Sequence, residues 1–339
     1  MDNLLKYSRI VFIGVGGGGD VVSAAMLAQA FKRLGIEAFV ASIVWERFVI
    51  DPVPGPIGLD EIVNLEKIGR YTGLVNGNSY AIRGGKKVFF QAALVSKAIS
   101  EKVIVIDLRG GVEGYIRALE ELRKYTDAEA LIGVDVGGDI LAGGYEEELW
   151  SPLADSMGLA ALNKVDQSYL VVHSPGSDGE LPIDRVLERI AKVASMNGYL
   201  GARGITKEDV EVLKRILSYA KSEASLIQLY AFRGEYGEIP IRKGTRKIKV
   251  SPIHMISFLL DPRKVFNIST PAQIVAGTKS FDEAVKKLNE HGIYTEYNLE
   301  VDLLKANPKR YTAEIILKIR NTGRLNLRRH VMNDQSTGQ

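Results

Sequence analysis

The chain is expected to be an α/β protein built on a doubly wound, mostly parallel, Rossmann-like sheet, with a C-terminal helical or α+β region. Three observations predict this. Short apolar, β-branched runs recur through the first two hundred residues, and each leads directly into glycines and an acidic residue. Most of these runs are followed by apolar residues at helical spacing. The runs themselves are continuously apolar rather than alternating, as strands covered on both faces are. Strands and helices in alternation form open parallel sheets with helices on both sides.

Taken in order, the first strand is read over 9–15 and leads into Gly16-Gly17-Gly18-Gly19-Asp20. A helix over 21–34 follows and stops at Gly35, and a second strand spans 38–45. A long insert then contains the proline-rich turn 51–58 and the polar, glycine-rich stretch 73–85, which reads as a lid or binding loop. The strand at 103–107 leads into Leu108-Arg109-Gly110-Gly111, and a helix over 115–125 carries Ile116, Leu119 and Leu122. The run at 130–134 leads into Asp135-Val136-Gly137-Gly138-Asp139. A fourth run at 168–172 leads into His173-Ser174-Pro175-Gly176-Ser177-Asp178-Gly179-Glu180, followed by a helix over 184–196. Beyond residue 200 the pattern becomes mainly helical, and Thr206 with Asp209 reads as a capping box. This divides the chain into a ligand-binding domain over 1–200, a helical or α+β region over 201–330 and a frayed tail over 331–339.

The 339 residues are 46% hydrophobic and 25% charged, the balance of a folded globular protein. There are no cysteines, which removes disulfides, thiolate nucleophiles, iron–sulfur clusters and thiolate zinc sites. Arg9, Asp20 and Lys32 divide the most apolar N-terminal stretch into uncharged runs of 10 and 11 residues, too short to span a bilayer. The N-terminus lacks a basic start and a cleavage site, so a cytoplasmic location and no membrane partner are expected. The net charge is +3, but residues 305–330 carry eight Lys/Arg against Glu314 alone. That basic block is a candidate footprint for nucleic acid, although a solvated or subunit-contacting face, and so a homo-oligomer, is the commoner meaning.

In open parallel sheets, ligands bind beyond the carboxyl ends of the strands at a topological switch point. The four Gly-Asp segments are expected to share that edge. Gly14-Val15-Gly16-Gly17-Gly18-Gly19 satisfies G-x-G-x-x-G between a strand and a helix, where backbone N–H groups can cradle a phosphate. The alternative is a tight turn with close helix packing. A nicotinamide site would want an acid at the end of the second strand. Glu46 is available but lies 27 residues after Gly19.

Asp20 at the head of the helix would repel a phosphate unless a cation lay between them. Helix capping is its structural alternative. With Asp135 and Asp139 on the same edge, the three acids read as ligands of a divalent cation, Mg²⁺ by the carboxylate-plus-phosphate pattern, with a nucleotide among the ligands the site would accept. Gly137 and Gly138 let the chain curl so that both acids of that segment point inward. Asp107 is the equivalent residue on a neighbouring strand. Asp178 and His173 are the candidates for activating a water or hydroxyl, with a turn carboxylate and a structural histidine as their alternatives. Arg47, Arg83 and Arg109 could clamp an anion, and Arg109 is taken as the phosphate-binding one. Surface salt bridges are the default role for all three.

There is no G-x-x-x-x-G-K-[ST], no G-x-S-x-G and no H-E-x-x-H, which argues against P-loop, α/β-hydrolase and zincin chemistry. The segments Gly14-Val15-Gly16-Gly17-Gly18-Gly19-Asp20, Asp135-Val136-Gly137-Gly138-Asp139 and His173 to Glu180 together resemble an uncharacterised, largely archaeal family of domains of unknown function. The resemblance covers roughly residues 5–320 and implies no activity. The expected function is therefore read from the residues. It is a metal-dependent hydrolase or transferase acting on a phosphorylated small molecule, a nucleotide or a sugar phosphate. An NAD(P)-dependent oxidoreductase and a non-enzymatic nucleotide- or RNA-binding protein are the alternatives.

Overall fold

The computed structural model describes residues 1–46 and 50–337, with side chains to 332. The first strand, β1 (Arg9–Gly14), is buried along nearly its whole length. Successive side chains point to opposite faces, so Ile10 and Phe12 enter one core while Val11 and Ile13 enter the other. The helix α1 (Asp20–Arg33) returns over one face, and β2 (Glu37–Ile43) pairs parallel to β1.

The insert folds into short strands: β3 (Ile62–Val63), β4 (Glu66–Lys67), β5 (Thr72–Val75), β6 (Tyr80–Arg83) and β7 (Lys86–Val88). The stretch 73–85, expected as a lid or binding loop, is thus mostly strand, with Leu74, Val75 and Ala81 buried. Four-residue strands between Gly-rich turns are too short for a two-residue period to register in the sequence.

The chain continues through α2 (Gln91–Ile99), β8 (Val103–Ile106), α3 (Gly111–Thr126), β9 (Ala130–Val136), α4 (Pro152–Leu162), β10 (Ser168–His173) and α5 (Ile183–Ser195). Then come β11 (Tyr199–Gly204), α6 (Lys207–Leu217), α7 (Glu223–Phe232), the hairpin β12 (Gly237–Ile241) and β13 (Arg246–Val250), and β14 (Ile256–Leu260). Five helices close the chain: α8 (Pro262–Phe266), α9 (Thr270–Val275), α10 (Phe281–Glu290), α11 (Glu296–Ala306) and α12 (Ala313–Thr337).

Among the described residues, nine strands form one sheet in the order β11-β14-β10-β9-β1-β2-β8-β5-β4. Its centre, β10-β9-β1-β2-β8, is parallel, and antiparallel strands flank it on both sides. Numbered among themselves, the parallel strands run 3-2-1-4-5, the doubly wound order. Helices α1, α2 and α6 pack on one face, and α3, α4 and α5 on the other. The order reverses between β1 and β9, where the two connections leave to opposite faces, so a crevice opens at their carboxyl ends. Position 200 falls inside β11, and β11 and β14 belong to the same sheet as the N-terminal strands. The helix α12 covers most of the tail expected to fray. Among the described residues, no helix is long and apolar enough to cross a membrane.

Candidate functional site

A cleft of about 90 Å³ lies at the switch point, lined by the β1–α1 turn, the end of β9, α4, the segment after β10 and the start of α7. It has room for an ion with a few waters. Besides Glu46, which accepts the Gln91 N–H, five of its lining residues are acids with little exposure: Asp20, Asp139, Asp155, Asp178 and Glu180. With Asp135 beneath them, they form two trios, Asp20/Asp135/Asp155 and Asp139/Asp178/Glu180. Within each trio, one carboxylate oxygen per residue lies within 4.8 Å of the others.

The first trio is assembled from three elements. Asp135 is the penultimate residue of β9, and Asp155 sits in the first turn of α4. Asp20 opens α1, but its carboxylate turns back to accept the Gly16 N–H at 2.9 Å. Oxygens Oδ2 of Asp135 and Oδ1 of Asp155 are buried with no hydrogen-bond partner among the described residues. Burial, and then the negative charges of Asp20 and Asp178, push Asp135 well above the usual carboxylate range. Asp155 rises for the same reason, with Asp135 and Asp20 as its neighbours. The hydroxyl of Tyr115, fully buried and likewise unpartnered, is also pushed up, by burial and then by Asp155 and Asp20.

The second trio hangs on backbone geometry. Gly137, at φ +126°, presses against the Asp178 carboxyl, which would collide with any side chain there. The loops after β9 and β10 are stitched together, Gly137 N–H donating to the His173 carbonyl and Gly176 N–H to the Gly137 carbonyl. Asp178 Oδ1 accepts the Glu180 N–H at 3.0 Å, and its buried Oδ2 has no partner among the described residues. Burial and then Glu180 push Asp178 up to about 6. Burial and then Asp155 and Glu180 push Asp139 well above the usual carboxylate range. Glu180 is anchored by the N–H groups of Trp150 and Ser151 (2.7 and 2.8 Å), by the Ser151 hydroxyl and by Arg246 at 3.0 Å.

Two N–H groups of the glycine loop are already engaged within the protein. Gly14 ends β1, and Gly17, Gly18 and Gly19 line the cleft. The Gly16 N–H is taken by Asp20 and the Gly18 N–H by the Trp45 carbonyl. Asp20 occupies the place on the loop that a bound anion would want. Gly138 precedes the 3₁₀ turn Asp139–Leu141 and packs against Val186.

Asp107 turns away from the cleft to Arg109 and the Leu59 N–H. Arg109 is spent on Asp107 and Asp60 and does not line the cleft. Arg83 is buried against Asp51, Glu61 and the carbonyls of Val53 and Gly55. Arg47 lies outside the described residues. His173 is fully buried, bonded through Nδ1 to Ser257 Oγ at 2.7 Å, and also does not line the cleft.

Residues 11–304 match the model of a family described as a protein of unknown function, DUF1152. The chain belongs to that family. No curated protein and no solved structure matches it. In this DUF1152 chain, Asp155 escapes a motif search because no glycine or histidine marks it. Its signal is a lone carboxylate in an eleven-residue helix that is otherwise free of charge and buried throughout. The cationic rim, Lys221 and Arg242, comes from beyond residue 200 and carries no motif. The basic block is partly internal: Arg320 is buried, stacks on Trp150 and donates to the carbonyls of Glu147 and Leu149. Arg324 donates to the Glu147 carbonyl at 2.6 Å.

Proposed function

We propose that this protein is a divalent-cation-dependent enzyme that binds a phosphorylated small molecule, such as a nucleotide or sugar phosphate, and catalyses hydrolysis or group transfer. One observation carries the reading. Asp135 and Asp155 bury unpartnered carboxylate oxygens that converge with Asp20 at the switch point of a doubly wound sheet. Buried like charges without hydrogen bonds are costly, and a hard dication bound by oxygens is what relieves them.

In this reading, Asp20, Asp135 and Asp155 hold the cation, with the hydroxyl of Tyr115 close below. A cation held there would supply the charge that polarises a phosphoryl oxygen and acidifies a bound water. Lys221, Ser222 and Arg242 at the mouth receive the remaining phosphate charge. Asp178, which also lines the cleft, would orient that water through a carboxylate oxygen. A dinucleotide oxidoreductase is less well supported, since Asp20 already takes the Gly16 N–H on the loop where a pyrophosphate would sit.

The test is a thermal-shift series with Mg²⁺ and Mn²⁺, alone and with ATP, pyrophosphate or glucose 6-phosphate, on the wild type and Asp135→Asn. A cation at 100 times its dissociation constant stabilises the folded state by about 2.7 kcal/mol. The expected result is a cation shift enhanced by a phosphorylated compound and lost in the variant. Absence of any cation shift in the wild type would overturn the reading.

A further inference from the structure

Resting on that reading, we infer that the cleft takes two divalent cations, the second held by Asp139, Asp178 and Glu180, with Asp139 as the carboxylate shared between the two positions. The second trio has the same form as the first, one oxygen per residue within 4.8 Å of the others. Asp178 supplies the observation that points to a ligand. It is only 5% exposed, faces the cleft, and its Oδ2 is buried without a partner among the described residues. Gly137 fixes the approach of that carboxyl by offering no side chain where it lies.

Asp139 links the trios. The charges of Asp135 from one set and Asp178 from the other both act on it, and Ser151 Oγ donates to its Oδ2 at 3.4 Å. A carboxylate placed between two cation positions is the usual bridge of a two-metal site. Glu180 is locked before any ion arrives, by two backbone N–H groups and by Arg246, which is how ligands outside the reacting centre are oriented.

Charge counting favours two ions over one. Ionised, the six carboxylates and Glu46, set against Lys221, Arg242 and the Arg246 guanidinium paired with Glu180, carry a formal −4. One dication leaves −2, and a second brings the cleft to neutrality. The all-oxygen donor set selects Mg²⁺ or Mn²⁺ over softer metals.

Manganese is the probe, titrated into the full chain and followed by calorimetry and electron paramagnetic resonance. The expected result is two Mn²⁺ per wild-type chain with an exchange-coupled spectrum, and one Mn²⁺ with an uncoupled six-line spectrum in both Asp178→Asn and Asp155→Asn. Near-UV circular dichroism checks that each variant keeps the wild-type fold, and the wild-type stoichiometry decides the matter even if a variant unfolds. A single Mn²⁺ in the wild type would reject the second position while leaving the first reading intact. Two ions that persist in folded Asp178→Asn would also reject it, because they would lie elsewhere. No bound Mn²⁺ in the wild type would remove both.

Discussion

A methyl group added at position 16 would lie 2.5 Å from Asp20 Oδ2 and 2.6 Å from Asp155 Oδ1. Both belong to carboxylates proposed to hold the first cation. Gly16→Ala is therefore expected to weaken Mn²⁺ binding roughly 10–100-fold, the usual cost of misplacing ligands through their surroundings, while the fold is retained. Calorimetric titration checks it, and unchanged affinity would show that the carboxylates do not bind there. Asp155→Asn should act in opposite directions with and without metal. Removing one buried like charge stabilises the metal-free protein by on the order of 1 kcal/mol, but the gain on adding Mn²⁺ shrinks. Urea unfolding with and without Mn²⁺ measures both, and destabilisation in both conditions would make Asp155 purely structural.

His173 belongs to the same scale but to a different economy. Its imidazole is pushed down to about 4, by burial above all. Above its ordinary pKa it is neutral both folded and unfolded. As pH falls through about 6.5, the unfolded chain takes up a proton that the folded chain refuses, so stability drops until the folded value is reached. At pH 4.5 the wild type should have lost about 2.5 kcal/mol more than His173→Gln, relative to pH 7. Equal losses in the two proteins would contradict the buried neutral state.

Elements place the site's residues by capping one another. The N-terminus of α4 has no side-chain cap of its own; Glu296, in the first turn of α11, accepts the N–H groups of Leu153 and Ala154 at 3.1 and 2.9 Å. Since α4 carries Asp155, Glu296→Gln should cost about 1–2 kcal/mol of stability and also weaken Mn²⁺ binding. Thr206→Ala is the control. It removes the cap of α6, where Thr206 and Asp209 bond reciprocally, and should cost about 1 kcal/mol without touching the cation. Chemical denaturation and Mn²⁺ titration on both variants separate the effects, and an equal influence on affinity would contradict the link through α4. That capping box is legible from four residues because its partners are local. The bond from α11 to α4 joins residues 143 positions apart and leaves no local trace.

Across the whole molecule, α12 is tied back to the segment that anchors Glu180. Arg320 donates to the carbonyls of Glu147 and Leu149 and stacks on Trp150, whose own N–H goes to Glu180. Arg320→Ala should cost about 2–3 kcal/mol in urea unfolding, since it strips two charge-assisted bonds and a stacked guanidinium from a buried place. A change below about 0.5 kcal/mol would mean that this end of the chain is a solvated surface helix after all.

The sequence by itself determined the parallel core, because continuous β-branched runs followed by helical spacing are local patterns, and it pointed to the carboxyl-end edge where Asp20, Asp135, Asp139 and Asp178 lie. Only the tertiary structure decided the company those residues keep. Asp20 and Asp135 join Asp155, while Asp139 joins Asp178 and Glu180. His173, Asp107 and Arg109, equally near strand ends, are turned to Ser257, Leu59 and Asp60 instead. The reason is physical. Periodicity records which residues are buried, but a carboxylate's partners are set by strand order, helix placement and turn geometry, which bring together residues more than a hundred positions apart.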